Sequence, residues 1–317
     1  MRRLDAFQQR HRTLGFTWAV IQKYLDDRGP REAALITYYG FLSLFPLLLL
    51  GVAIVTQVLA RRPDLREEVV TAMVPPTLQD TIESGIATMS GSATALLVGV
   101  IGLIFSATGV VFSAYETLNH LAGVPFADRP MVGRYLRVLG GLLVILAGSL
   151  TIGALTVAMA ALPGALQYGA VLGSALVTFL VLMLVAWLLL ARRTRASELW
   201  LAAAIGAVAV TAVLNLGAAV LPELVRRAGR VYGAFATVAG AFTLFYLLSN
   251  ALVLAAEIAV VRHARLWPRA LDQSRPAPAD LRARARLARE QERAPGDRIT
   301  YTHEPGEPED QPEARPG

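Results

Sequence analysis

The sequence predicts an all-α fold: a polytopic transmembrane helical bundle of six spans, both termini cytoplasmic, with an amphipathic N-terminal helix ahead of the first span. Three observations carry this expectation. Apolar residues make up 55% of the 317-residue chain and charged residues only 17%, against about a quarter in soluble domains. The apolar residues gather in six runs, at about 33–60, 93–113, 136–162, 168–191, 199–221 and 235–261. Each is long enough for the ~20 residues that a helix needs to cross the hydrocarbon core. Polar residues collect between the runs, which divides the chain into a cytoplasmic leader helix (1–32), a membrane domain (33–265) and a cytoplasmic tail (266–317), expected to be largely disordered.

In the leader, Leu4, Phe7, His11, Leu14, Trp18, Ile21 and Leu25 recur at steps of three and four, which is one stripe of a helix. Arg10, Arg12, Lys23 and Asp26 occupy the other faces. Such a helix either lies in the inner membrane interface or packs beneath the bundle, and both readings stay open. Met1-Arg2-Arg3 is not followed by a short apolar stretch with a small-residue cleavage site, so no cleaved signal is expected. The first apolar run carries Pro46 at mid-span, which cannot donate to the carbonyl of Leu42, and a helix kink is expected there. Ser43 is placed to satisfy the backbone groups so freed.

The loop from Arg61 to Ser92 holds two short amphipathic candidates split by Pro75-Pro76. In the tail, a short helix is expected around Asp280 to Gln291, followed by a Pro- and Glu-rich end that cannot bury enough apolar area to fold.

Charge sets the orientation. Of 30 basic residues only Lys23 is a lysine, and, counting the leader, the loops and the tail as far as Arg275, an N-in arrangement places 17 basic residues on the inner side against 6 outside, as the positive-inside rule requires. Trp187, Trp200, Trp267, Tyr115 and Tyr135 fall at the expected inner boundary, where amphipathic rings collect. Arginines flanking apolar spans are explained by anionic headgroups, so membrane lipids are the expected partners and nucleic acid is not. A homo-oligomer stays open.

Within the spans, polar and small residues are the informative ones. Tyr232, Ala239, Thr243, Tyr246, Asn250 and Glu257 form one stripe of the sixth span. A carboxylate at that depth is costly unless it finds a partner, snorkels or faces water. Gly99, Gly102, Ser106, Gly109 and Ser113 form a small-residue stripe of the second span that continues into Glu116 and His120. Ser106, Glu116, His120, Tyr246, Asn250 and Glu257 are therefore candidates for a polar path between spans two and six, with interhelical packing as the alternative for each. Gly169 and Gly173, and Thr211 with Asn215, are weaker features of the same kind. There is no P-loop, no nucleophile elbow, no cysteine and no histidine pair at metal-ligand spacing. No catalytic residue, metal site or cofactor is expected, and the chain is not expected to be an enzyme.

Three segments carry a resemblance. Ala33-Ala34-Leu35-Ile36-Thr37-Tyr38-Tyr39-Gly40-Phe41-Leu42-Ser43-Leu44-Phe45-Pro46 is similar to the opening of YihY/BrkB membrane proteins. Phe105-Ser106-Ala107-Thr108 through Glu116-Thr117-Leu118-Asn119-His120 resembles the end of that family's second span. Tyr232-Gly233-Ala234-Phe235, with Tyr246 and Ala256-Glu257-Ile258, resembles its last span. Phe245 and Ala256 depart from the tryptophan and glycine usual there. The resemblance implies six inner-membrane helices. It also implies a history of names, ribonuclease BN and virulence factor among them, and for some relatives a link to envelope-lipid export. Ribonuclease chemistry has no support in the residues, which hold no histidine–aspartate metal cluster. The expected function is transport or translocation of a lipid or other envelope component. A non-catalytic envelope scaffold or regulator is the alternative.

Overall fold

The structure, a computed structural model, describes residues 11–47, 49, 93–160, 167–272 and 276–302. Among these there is no strand. Eight α-helices follow in order: α1 (Arg12–Asp26), α2 (Gly29–Leu42), α3 (Ala93–Leu121), α4 (Met131–Ala160), α5 (Gln167–Leu189), α6 (Ala196–Tyr232), α7 (Ala234–His263) and α8 (Pro278–Glu290). Five of them, α3 to α7, are long and apolar enough to cross a membrane, and the protein is an integral membrane protein. The remainder of the first apolar run, the Arg61–Ser92 loop, Leu4 and Phe7 of the leader, and the tail beyond 302 lie outside the described residues.

From α2 to α7 each helix packs on its sequence neighbour, and α7 closes back on α2. Small residues set the approach. A Cβ on Gly173 of α5 would lie 2.8 Å from Leu155 of α4, one on Gly140 of α4 would lie 2.7 Å from Leu188 of α5, and one on Gly148 would overlap Val181. In lipid, where apolar burial gives helices no drive to associate, such close backbone contact supplies the packing. Gly148→Leu is therefore expected to lower the thermal midpoint of the detergent-solubilised protein, an overpacking cost of about 1–3 kcal/mol. An unchanged midpoint would show that α4 and α5 do not pack at this point.

Near Pro46 the backbone and Ser43 are arranged as follows. The helix is interrupted at Ser43, where Leu47 N–H donates to Ser43 O at 3.1 Å. The Ser43 hydroxyl donates to Gly40 O at 2.6 Å rather than relieving Leu42. A second proline behaves differently. Pro222 lies inside α6, which continues to Tyr232 instead of ending near Leu221. Arg226, Arg227 and Arg230 thus lie within the helix, and Glu223 binds Arg226 at 2.8 Å and Arg227 at 2.5 Å along it. Those are i,i+3 and i,i+4 pairs, which support an exposed helical turn.

The leader helix turns its two faces the other way from a simple reading. Gly15, Ala19, Gln22 and Lys23 face the bundle, while Leu14, Ile21 and Leu25 stay exposed. Small residues let α1 lie against α7, and the apolar stripe is left where an interfacial helix would meet lipid. Phe16 stands edge-on to Trp267 at 5.7 Å. Tyr115, expected in the aromatic belt, is fully buried instead, packed with Val111, Val138 and Leu189.

The start of the tail is tied to the bundle. Arg269 Nε donates to Asp280 at 2.7 Å and its Nη2 to Asp26 at 2.7 Å, so the segment after α7 is tied to both α8 and α1. Asp280 also accepts the backbone N–H of Ala270 and Ala277, both at 2.9 Å, which caps α8. These polar anchors hold α8, Pro278–Glu290, where a short helix was expected around Asp280 to Gln291.

Candidate functional site

The charged residues of the leader end of the bundle converge on Lys23. Its ammonium pairs with Asp27, donates to Leu121 O at 3.2 Å, and lies 2.9 Å from Glu257 Oε2. Glu257 is 0% and Lys23 5% exposed. The Lys23–Glu257 contact is electrostatic, and among the described residues Glu257 Oε1 has no hydrogen-bond partner. An ammonium is a compact charge with three rotatable donors, which suits three acceptors drawn from α7, the end of α3 and the α1–α2 turn.

From there the network runs along one side of α3. His120 Nε2 is 3.1 Å from the backbone oxygen of Asp27, an atom that only accepts, so that nitrogen carries a proton. His120 Nδ1 lies 2.8 Å from Glu290 Oε2, at the end of α8. Arg129 donates to Glu290 Oε1 at 2.9 Å, to Val124 O at 2.7 Å and to Glu116 at 3.1 Å. Arg134 reaches the other oxygen of Glu116 at 3.2 Å. Arg129 of the loop and Arg134 of the first turn of α4 thus meet at Glu116. Thr117 donates to Glu32 of α2 at 2.9 Å.

A second, smaller arm reaches Asn250. The Tyr24 hydroxyl donates to Asn250 Oδ1, and Asn250 Nδ2 donates to Tyr246 O at 2.8 Å. Burial pushes the Tyr24 hydroxyl above its ordinary pKa, with Tyr246 and Glu257 adding to the effect, so it stays a neutral donor.

The candidate path residues therefore divide. His120, Glu116 and Glu257 join one network through Lys23, Asp27, Arg129 and Glu290, and Tyr246 with Asn250 joins through Tyr24. Ser106 stands apart: it donates to Gly102 O of its own helix at 2.9 Å. Higher in the bundle the small-residue stripe of α3 faces the first apolar run rather than α7. A Cβ on Gly102 would lie 3.1 Å from Pro46, and one on Gly109 would meet the Tyr39 ring. Asn215 bonds within its own helix, donating to the backbone oxygen of Thr211 at 2.7 Å.

Asn119, one residue before His120, is a clamp the sequence did not single out. Wholly buried, it donates to Tyr115 O at 2.8 Å and Leu189 O at 2.9 Å, and accepts from Ala191 N at 2.8 Å. Arg137 covers the neighbouring carbonyls Leu188 O at 2.8 Å and Leu190 O at 2.5 Å. The last carbonyls of a helix have no partner within it, and those of α5 are met by α3 and α4.

Two small cavities flank the network. One of about 50 Å³ lies among Leu118, Leu121, Ala186, Leu199 and Ala256, rimmed by Arg192, Glu198, His263 and Arg286. One of about 10 Å³ lies between Lys23, Asp27, His120 and Arg269. Tyr246, Asn250 and Glu257 line neither. Among the described residues no group of three His, Asp or Glu is arranged to hold a metal ion.

With this geometry in place, the chain was compared with known proteins. A match to the family described as virulence factor BrkB spans residues 20–280. The chain belongs to the virulence factor BrkB family. The part shared with other BrkB proteins takes in Lys23, Asn119, His120, Glu257 and the Arg269–Asp280 pair, and stops before Glu290. Neither the curated proteins nor the solved structures gave a match to this BrkB chain.

Lys23, Asp27 and Glu290 are the residues that sequence reasoning missed. Lys23 looked like one charge on the solvent face of an amphipathic helix. A signal was present: it is the only lysine among 30 basic residues, in a chain that otherwise uses arginine for every cationic position.

Proposed function

We propose that the chain is a six-span protein of the cytoplasmic membrane, both termini inside, that translocates a lipid or another envelope component and is closed at its cytoplasmic end by the buried charge network. The network is the observation that carries this reading. Replacing buried ion pairs by packed apolar residues is often neutral or stabilising, and a switch or register role is the best-attested reason to keep them. Here the charges bind the leader, α3, the loop after it, α7 and α8 at one end of the bundle, so a single rearrangement releases all of them. The excess of 17 basic residues against 6 supports placing this end in the cytoplasm. The first apolar run, which begins in α2, supplies the sixth span. No enzymatic step is assigned.

The chain has no cysteine, so a lock can be built cleanly. A Cβ on Gly123 would lie 3.6 Å from Cβ of Arg286, within the separation of a disulfide. The Gly123→Cys/Arg286→Cys variant is reconstituted in vesicles with NBD-labelled phosphatidylglycerol. Reduced protein is expected to carry label across the bilayer, and oxidised protein to match protein-free vesicles. Label movement no faster with reduced or unmodified protein than without protein removes the lipid-translocation reading.

One observation favours the alternative of an envelope scaffold or regulator: the Tyr246–Glu257 face is engaged by the leader and borders neither cavity. That reading predicts that locked and reduced proteins serve the cell equally well.

A further inference from the structure

The α4–α5 seam carries a groove outside the network, at the same end of the bundle. It has a volume of about 570 Å³ and is lined by Gly133, Leu136, Arg137, Trp187, Leu188, Arg192, Arg193 and Thr194. Its lining holds three arginines and no carboxylate. Arg137 is committed to the carbonyls at the end of α5, and Arg192 shares Glu198 at 3.2 Å. Arg193 is exposed and has no acid within ion-pair reach among the described residues. The buried Thr194 hydroxyl has no hydrogen-bond partner among the described residues. The comparable groove at Trp200, by contrast, includes Glu198, which lies 3.4 Å from His263.

Below the groove the surface is built for hydrocarbon. Leu136, Leu139 and Leu143 on α4 and Leu180, Leu184 and Trp187 on α5 are all exposed. They follow the three- and four-residue steps of single helix faces, so each helix presents a continuous apolar track running from the arginines into the membrane. An exposed indole at the last turn of α5 sits where amphipathic rings meet headgroups.

We infer that this groove is a binding site for one anionic phospholipid, its phosphate held by Arg193 and Arg192 and its acyl chains lying along the leucine tracks of α4 and α5. Charge complementarity selects the occupant. A zwitterionic lipid brings its own cation to a cluster that already carries an excess of positive charge, whereas a phosphatidylglycerol headgroup brings only the anion. The site is independent of translocation, since it faces lipid rather than the helix interior.

The test uses the full chain in detergent, incubated with phosphatidylglycerol or phosphatidylcholine and read by native mass spectrometry. Phosphatidylglycerol is expected to be retained preferentially. Arg193→Gln is expected to lower its occupancy about fivefold, the effect of one arginine near a charged headgroup. Arg226→Gln/Arg227→Gln, at residues already paired with Glu223 on α6, is expected to leave it unchanged. Equal retention of the two lipids, or an undiminished preference in Arg193→Gln, overturns the site. Displacement of the lipid by free glycerol phosphate at equal concentration also overturns it, because the groove would then bind a phosphate without using its apolar tracks.

Discussion

Lys23→Met is expected to be the most damaging single substitution in the leader, lowering stability by about 3–5 kcal/mol, the usual cost of removing one partner from a buried ion pair. The methionine fills most of the volume but leaves Glu257 and Asp27 buried without their cation. Desolvation would then drive proton uptake or local unfolding. The measurement is the midpoint of SDS or thermal unfolding in detergent. A neutral network, Lys23→Met with Asp27→Asn and Glu257→Gln, should recover most of the loss because no uncompensated charge remains. If Lys23→Met alone unfolds at the wild-type midpoint, the pairing is not formed in the membrane-embedded protein. Lys23→Arg makes a sharper comparison. Its planar fork cannot address Asp27, Glu257 and Leu121 O from one point, and its greater bulk must enter a site that is 5% exposed. It should therefore fall between wild type and Lys23→Met despite keeping the charge.

The second large effect is expected at Asn119. Asn119→Leu removes three hydrogen bonds and strands Leu189 O and Ala191 N–H at the end of α5. Each buried backbone group left unpaired costs about 1–3 kcal/mol. Asn119→Asp separates hydrogen bonding from volume. It keeps an acceptor for Ala191 N–H but sets a carboxylate against the carbonyls of Tyr115 and Leu189, so it should destabilise at least as much as leucine. A thermal midpoint for Asn119→Asp above that of Asn119→Leu would show that the amide's donors are not what holds α3 to α5.

Both sites bear on what the chain discloses before it folds. The helices from α3 to α7 were legible to within a few residues at most of their ends, because lipid imposes a length and a composition on any spanning segment. The exceptions are the far end of α3, which runs on past residue 113 to Leu121, the start of α4, at Met131 rather than 136, and the far end of α6, which runs on past Pro222 to Tyr232. Proline ends a helix only where the lost bond and ring clash are not tolerated, and α6 continues through it. The small residues of α3 were legible as packing positions but not their partner, which is the Tyr39–Pro46 segment rather than α7.

The charged site was legible in its acids and not in its cation. Glu257 announced itself because a carboxylate in an apolar run is costly. Lys23 did not, since on a helix whose other charges are solvated a lysine has no local signature of burial. Glu290 lay in the short helix expected around Asp280 to Gln291, but nothing local showed that it reaches both His120 and Arg129.

By itself, then, the sequence determined the membrane character, the helical class, the places where most of the long apolar helices begin and end, and which polar residues would need partners. These are properties of each segment's own composition in contact with lipid. Only the tertiary structure decided which partners were met: Lys23 against Glu257, Tyr24 against Asn250, Asn119 against the end of α5. Those pairings join residues 70 to 234 positions apart in the chain. They depend on the angles at which helices cross, which no local pattern of hydrophobicity encodes.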